Sequence, residues 1–165
     1  MTSIKGYDRK AALIYANRFA LTRNPNYLDF TNLGGDCTNF ISQCLYAGSN
    51  VMNYTKTFGW YYNSANDRSP SWTGVQYLYN FLTTNKTKGV FASVVPIEQI
   101  MLGDIIQLAN DYNEFYHTLI VTMIGDVPSI NSIYVNAHDY DAKLRPLNTY
   151  QYSSYRCLHI EGVYI

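Results

Sequence analysis

Apolar residues in this chain recur at helical spacing through the first half and at strand spacing through the second. That switch of period limits the fold more than any other feature. Tyr7 to Asn24 predicts a first helix, with Ala11, Ala12, Ile14, Tyr15, Phe19 and Ala20 on one face and Asn24-Pro25-Asn26 as its stop. Cys37 to Ala47 predicts a second, closed by Gly48-Ser49-Asn50, and Thr73 to Thr84 a third. Strands follow at Ile105–Ala109, His117–Ile124, Ile133–His138 and Leu158–Ile165, with Asp139 to Ser154 read as a polar loop. Helices first and antiparallel strands afterwards give an α+β layout, with N-terminal helices packed on an antiparallel sheet.

A chain of 165 residues suits one domain over 1–165 with a substantial core. Lysine plus arginine balance aspartate plus glutamate at 12 each, so no basic stripe marks a nucleic-acid partner. No apolar run reaches membrane-spanning length, and the first residues lack the apolar core of a signal peptide. Three cysteines do not make a disulfide framework. No CxxC, HxxxH or HExxH spacing points to a metal, and no cofactor motif is present. The 17 tyrosines suit either half-buried faces or a groove for polar, extended ligands.

The stretch Gly34-Gly35-Asp36-Cys37-Thr38-Asn39-Phe40-Ile41-Ser42-Gln43-Cys44-Leu45 is the chemical focus. Two glycines permit a tight turn, and Asp36 is a good N-cap. Cys37 then falls in the first helical turn, where the positive end of the helix dipole favours thiolate. A thiolate is the working form of a cysteine nucleophile. Cys44 and Cys157 lie among core positions and read as packing.

Residues 49–72 show little period but are rich in aromatics. A long aromatic loop is either functional or packed as its own unit. The expectation favours the wall of a substrate cleft, with Trp60, Tyr62 and Trp72 as substrate-binding residues.

A nucleophilic thiol needs a base, and histidine serves near neutral pH. His159 sits among apolar residues of the last strand and reads as structural. His117 opens a strand just after a polar loop. A hairpin turning near Val127 sets His117 against positions 137–139, so His138 is expected beside it and Asn136 diagonal to it. Either would supply the polar group that orients the base, and His138 is preferred.

Gly35-Asp36-Cys37-Thr38-Asn39-Phe40-Ile41-Ser42-Gln43, Ser71-Trp72-Thr73, Gly103-Asp104-Ile105-Ile106-Gln107, His117-Thr118 and Ala137-His138-Asp139-Tyr140-Asp141 occur in that order. Together they resemble the amidase-domain family related to the NlpC/P60 and CHAP hydrolases of the papain-like cysteine peptidase superfamily. The resemblance implies a papain-like, NlpC/P60-like fold with Cys37 as nucleophile, His117 as base and His138, or else Asn136, as third residue. The oxyanion donors would be the backbone N–H of Cys37 and one more group, Asn32 or a neighbouring loop amide. It further implies a monomer that cuts an amide in bacterial peptidoglycan or a peptide, as amidase or endopeptidase. Such a domain is expected in a secreted or cell-wall-acting setting, as a module of a longer protein. Two other readings use the same features: acyl transfer through the same thiol, and a non-enzymatic cell-wall- or carbohydrate-binding module built on Trp60 and Trp72.

Overall fold

The computed structural model describes residues 2–165 and has the α+β architecture that the periodicity predicts. Its helices are α1 (Arg9–Phe19), α2 (Cys37–Ser49), the single-turn α3 (Pro70–Thr73) and α4 (Val75–Thr84). The strands are β1 (Ile4–Lys5), β2 (Tyr62–Ser64), β3 (Asp67–Arg68), β4 (Gly89–Val95), β5 (Ile105–Ala109), β6 (Phe115–Ile124), β7 (Ile133–Ala137), β8 (Ala142–Pro146) and β9 (Ser154–Tyr164). Seven of them form one antiparallel sheet in the order β1-β9-β5-β6-β7-β8, with β4 also paired to β9. The strands β2 and β3 make a separate small hairpin.

Successive strand residues point to opposite faces, and here both faces are covered. On one face Ile105, Ile120, Leu158 and Ile160 pack against Phe40, Ile41, Cys44 and Leu45 of α2 and against Leu78 and Leu82 of α4. On the other, Ile106, Leu108, Leu119, Val121 and Val135 meet Ile97, Ile100 and Leu147. This is why β5 is buried at every position and apolar except at Gln107, rather than alternating.

The helix boundaries move where local chemistry intervenes. Asp8 caps α1 by accepting a bond from the Ala11 amide at 2.9 Å. That helix ends at Phe19, before the expected Asn24. The chain turns away there, which lets the Arg23 guanidinium reach Asp29 and Asp141. The predicted third helix is α4, which starts two residues later than expected, and Gly74 in an extended conformation separates it from the additional single turn α3.

Three sheet strands escaped the pattern: β4, β8 and the two-residue β1. Residues of β4 form a short apolar run between turn residues, which carries no clear period. The edge strand β8 carries Lys143 and Arg145, contains Leu144 at φ 53° and ends on Pro146, features suited to an edge and poor as a strand signal. The expected polar loop over 139–154 therefore holds a strand. The aromatic segment 49–72 likewise contains the β2–β3 hairpin.

Candidate active site

Although α2 is buried for nearly its whole length, it carries four polar side chains in its first two turns. Each is satisfied, as burial requires. Thr38 Oγ1 lies 3.0 Å from Thr118 Oγ1 on β6. Asn39 donates to the Leu28 carbonyl and accepts from Trp72 Nε1 at 3.0 Å. Ser42 accepts from Trp60 Nε1 at 3.1 Å and donates to the Trp72 carbonyl. Gln43 accepts from the Tyr15 hydroxyl. The Thr-Asn-x-x-Ser-Gln part of the motif is thus the hydrogen-bonding code that seats the helix.

These contacts fix the fate of the aromatic loop. Trp60 and Trp72 are 0% exposed and stack on one another with centroids 5.0 Å apart. Tyr62 is half-buried, its ring against Trp72 and its hydroxyl accepting from the Leu28 amide. The cleft-wall expectation is corrected for the two tryptophans. Their indole N–H groups have partners inside the protein, so the loop closes over α2 and packs as its own unit. The binding-module reading loses the feature on which it stood.

Asp36 precedes the helix but does not cap it with its side chain. Its carboxylate is fully buried, accepting from the Phe30 amide at 2.8 Å and from Asn39 Nδ2 at 2.8 Å. The other oxygen lies 2.5 Å from His138 Nδ1. His138 stacks on Phe40 at 4.0 Å, and its Nε2 lies 2.8 Å from the Phe19 carbonyl. His138 therefore belongs to a buried cluster with Asp36 that ties the hairpin end to α1 and α2.

The α2 N-terminus is capped instead by Asp139. Its carboxylate accepts from the Asp36 amide at 2.8 and 2.9 Å and from the Cys37 amide at 3.1 Å. Gly35, at φ 109°, makes room for it: a Cβ there would lie 2.7 Å from Asp139 Oδ2. Asp139 and Tyr140, both at φ 60°, are the two central residues of the turn joining β7 to β8. Such paired left-handed residues suit a tight hairpin, but they are uncommon for a tyrosine.

Cys37 is only 5% exposed, and the Thr118 backbone lies against its sulfur. Burial pushes the thiol up to about 11, and the Asp139 charge acts in the same direction. The expectation of a thiolate favoured by the helix dipole is therefore corrected. Desolvation disfavours the charged form, and a carboxylate already occupies the positive end of the helix.

His117 pairs with Leu108 across β5 and neighbours Thr118, which contacts the helix start. The β6–β7 register sets Ile120 against Asn136 and Val121 against Val135. Continued, it sets His117 against Asp139, one residue from the position expected for His138. A one-residue shift exchanges the faces, so His138 and Asn136 lie on the helix side with Ile120. Asn136 donates to the Ala16 carbonyl and accepts from the Leu144 amide, tying β7 to α1 and β8. Neither residue bonds His117. Among the described residues, the His117 ring nitrogens have no protein partner, and no hydrogen bond joins His117 to Cys37. Burial holds the imidazole down to about 4; Asp139 pulls it up and Arg145 presses it down, both less strongly. Asn32, the suggested oxyanion donor, is exposed in the turn before the glycines and makes no bond to the site.

A cavity of about 590 Å³ opens over His117, lined also by Asp139, Tyr116, Tyr140, Arg145 and Tyr150. A cavity of about 750 Å³ lies between α1 and the Ile100–Leu102 segment, on mostly apolar walls and away from Cys37 and His117. The cavity at His117 is the one whose walls carry acid, base and cation together.

A buried cysteine at a helix start, a histidine on the adjoining strand and a shared carboxylate define an α+β protein with a candidate thiol site. The chain belongs to the family described as Putative amidase domain, which matches residues 6–160. It is 36% identical over 146 residues to Uncharacterized protein YhbB of Bacillus subtilis (strain 168), covering 84% of this chain and 43% of that protein. A shorter stretch of 47 residues is 51% identical to Uncharacterized protein YjcM of the same organism, covering 28% of this chain and 11% of that protein. The chain thus spans less than half the length of the curated relatives it matches. No solved structure matches it. The family description points to amide-bond hydrolysis. No helix among the described residues is long and apolar enough to cross a membrane.

Proposed function

We propose that the domain is a cysteine-dependent amide hydrolase of papain-like type, with Cys37 as nucleophile, His117 as general base and Asp139 as the acidic third group. The observation that carries this reading is the position of Asp139. It accepts from the Cys37 backbone amide and lines the same cavity as His117, so one carboxylate adjoins both reacting residues. His138, the third residue expected from the sequence, is committed to Asp36 and acts at one remove, by holding the start of α2.

Near neutral pH the resting pair is a neutral thiol and a neutral imidazole. Attack then couples two events: His117 takes the thiol proton as sulfur bonds to the amide carbonyl carbon. The tetrahedral oxyanion takes up the Cys37 N–H, which requires the Asp139 carboxylate to swing towards the imidazolium that has just formed. His117 then protonates the leaving amine, and the carbon–nitrogen bond breaks. Water, deprotonated by His117, hydrolyses the thioester and restores the thiol.

The substrate class proposed is peptide-type amides, with bacterial peptidoglycan first among them because the sequence resembles cell-wall hydrolases. The test is digestion of purified peptidoglycan with mass analysis of the fragments, using wild type beside Cys37→Ala. New amine and carboxyl ends should appear with wild type and vanish with the variant. Equal release by both proteins would overturn the thiol mechanism.

A further inference from the structure

We propose that the cavity over His117 holds a carboxylate-recognition subsite centred on Arg145, which selects substrates carrying a free carboxylate beside the scissile amide. The inference names a substrate feature for the hydrolase reading above and rests on it only for the word substrate.

Three observations converge. Arg145 is held rigidly: Nε donates to Thr149 Oγ1 at 2.9 Å, one terminal nitrogen donates to the Thr149 carbonyl at 3.0 Å, and the guanidinium lies 3.8 Å over the Tyr150 ring. It is nevertheless unpaired. No acidic side chain among the described residues forms an ion pair with it, whereas Arg9 and Arg23 both have such partners. Its second terminal nitrogen has no protein partner. A planar, pre-positioned guanidinium with a free edge is the group that best recognises a carboxylate.

The other charged group in the cavity is already satisfied. Asp139 spends both oxygens on the amides of Asp36 and Cys37. Asp141, on the same hairpin, is paired with Arg23. Neither carboxylate pairs with Arg145, so its guanidinium is the charged group left free to bond an anionic ligand. The Tyr150 hydroxyl, buried beside the Arg145 guanidinium, makes no hydrogen bond of ordinary geometry and is placed to complete one with a ligand held there. A buried hydroxyl left in that state is costly unless a ligand completes it.

The walls fit an extended ligand around such an anchor. Tyr116 lies parallel to the His117 ring, and Tyr140 is 93% exposed on the strained hairpin turn. Exposed tyrosines beside the base supply apolar area with polar tips. Backbone strain of this kind collects at ligand clamps and switch regions.

The test separates recognition from turnover by using binding to the Cys37→Ala protein. The probes are N-acetyl-alanyl-alanine and its C-terminal amide, which differ in one charge. Two-dimensional NMR titration should show the acid perturbing the signals of Arg145, Thr149 and Tyr150, and binding at least about tenfold tighter than the amide. Arg145→Gln should abolish that preference, and Arg145→Lys should keep part of it, with both variants retaining the wild-type spectrum elsewhere. Equal affinity for acid and amide, or a preference that survives in Arg145→Gln, would overturn the subsite. Failure of the hydrolase reading would show instead as unchanged turnover in Cys37→Ala, which this titration does not measure.

Discussion

The carboxylate of Asp139 accepts a hydrogen bond from the backbone amide of Cys37 at 3.1 Å. This contact places a negative charge where a helix N-terminus would otherwise stabilise a thiolate. It also comes from the turn that the sheet register sets opposite His117. It adds to the burial that already disfavours the Cys37 thiolate.

Replacing Asp139 by Asn keeps an acceptor for the amides but removes the charge. The Cys37 pKa should then fall from about 11. At pH 8 the rate of alkylation by iodoacetamide should rise, because a lower pKa leaves more thiolate. In the wild type that rate should climb with pH up to about 11, and Cys37 should label slowly at pH 7. Mass-resolved labelling of Cys37 in the two proteins provides the check, and a slower or unchanged rate in the variant contradicts it.

His117 has its pKa lowered from 6.5 to about 4, chiefly by burial. The acid limb of kcat/KM should accordingly lie near pH 4. Folding is linked with a definite sign. Above pH 6.5 the ring is neutral in both states; as pH falls from 6.5 towards 4, the unfolded chain takes up the proton and the folded one does not. Stability should therefore be lost across that window, by about 3 kcal/mol for this group alone. Urea unfolding at pH 7 and pH 4.5 should show a smaller difference for His117→Gln than for wild type.

His138→Ala should act through the fold. It leaves the buried Asp36 carboxylate without its 2.5 Å partner and opens a gap beside Phe40. Breaking one side of a buried pair costs about 3–5 kcal/mol. The expected result is a lowered denaturation midpoint. If the variant is as stable as wild type with a specific loss of kcat, His138 has a catalytic part after all.

Trp60→Ala and Trp72→Ala should each cost about 3–5 kcal/mol, the range for truncating a buried aromatic. For whatever fraction remains folded, KM should stay close to the wild-type value, because neither ring reaches solvent. A raised KM with unchanged stability would return the loop to the substrate cleft.

The periodicity determined the layers: helices at the front of the chain, antiparallel strands behind, and the cysteine at a helix start. These follow from local rules, because 3.6-residue and 2-residue repeats and capping residues act over a few positions. That the Cys37 helix packs against the His117 sheet was implied only by the family resemblance, not by any local signal. Tertiary structure decided the rest. Whether His138 or Asp139 stands opposite His117 depends on one residue of register, which no local signal resolves over a hairpin running from Phe115 to Ala137. Whether an aromatic loop faces substrate or core depends on its partners, and the partners of Trp60 and Trp72 lie on a different helix. The charge state of Cys37 is set first by its burial and then by a carboxylate 102 residues away. The helix dipole is a property of local sequence, but the group that cancels it arrives only when the β7–β8 turn folds over the helix end.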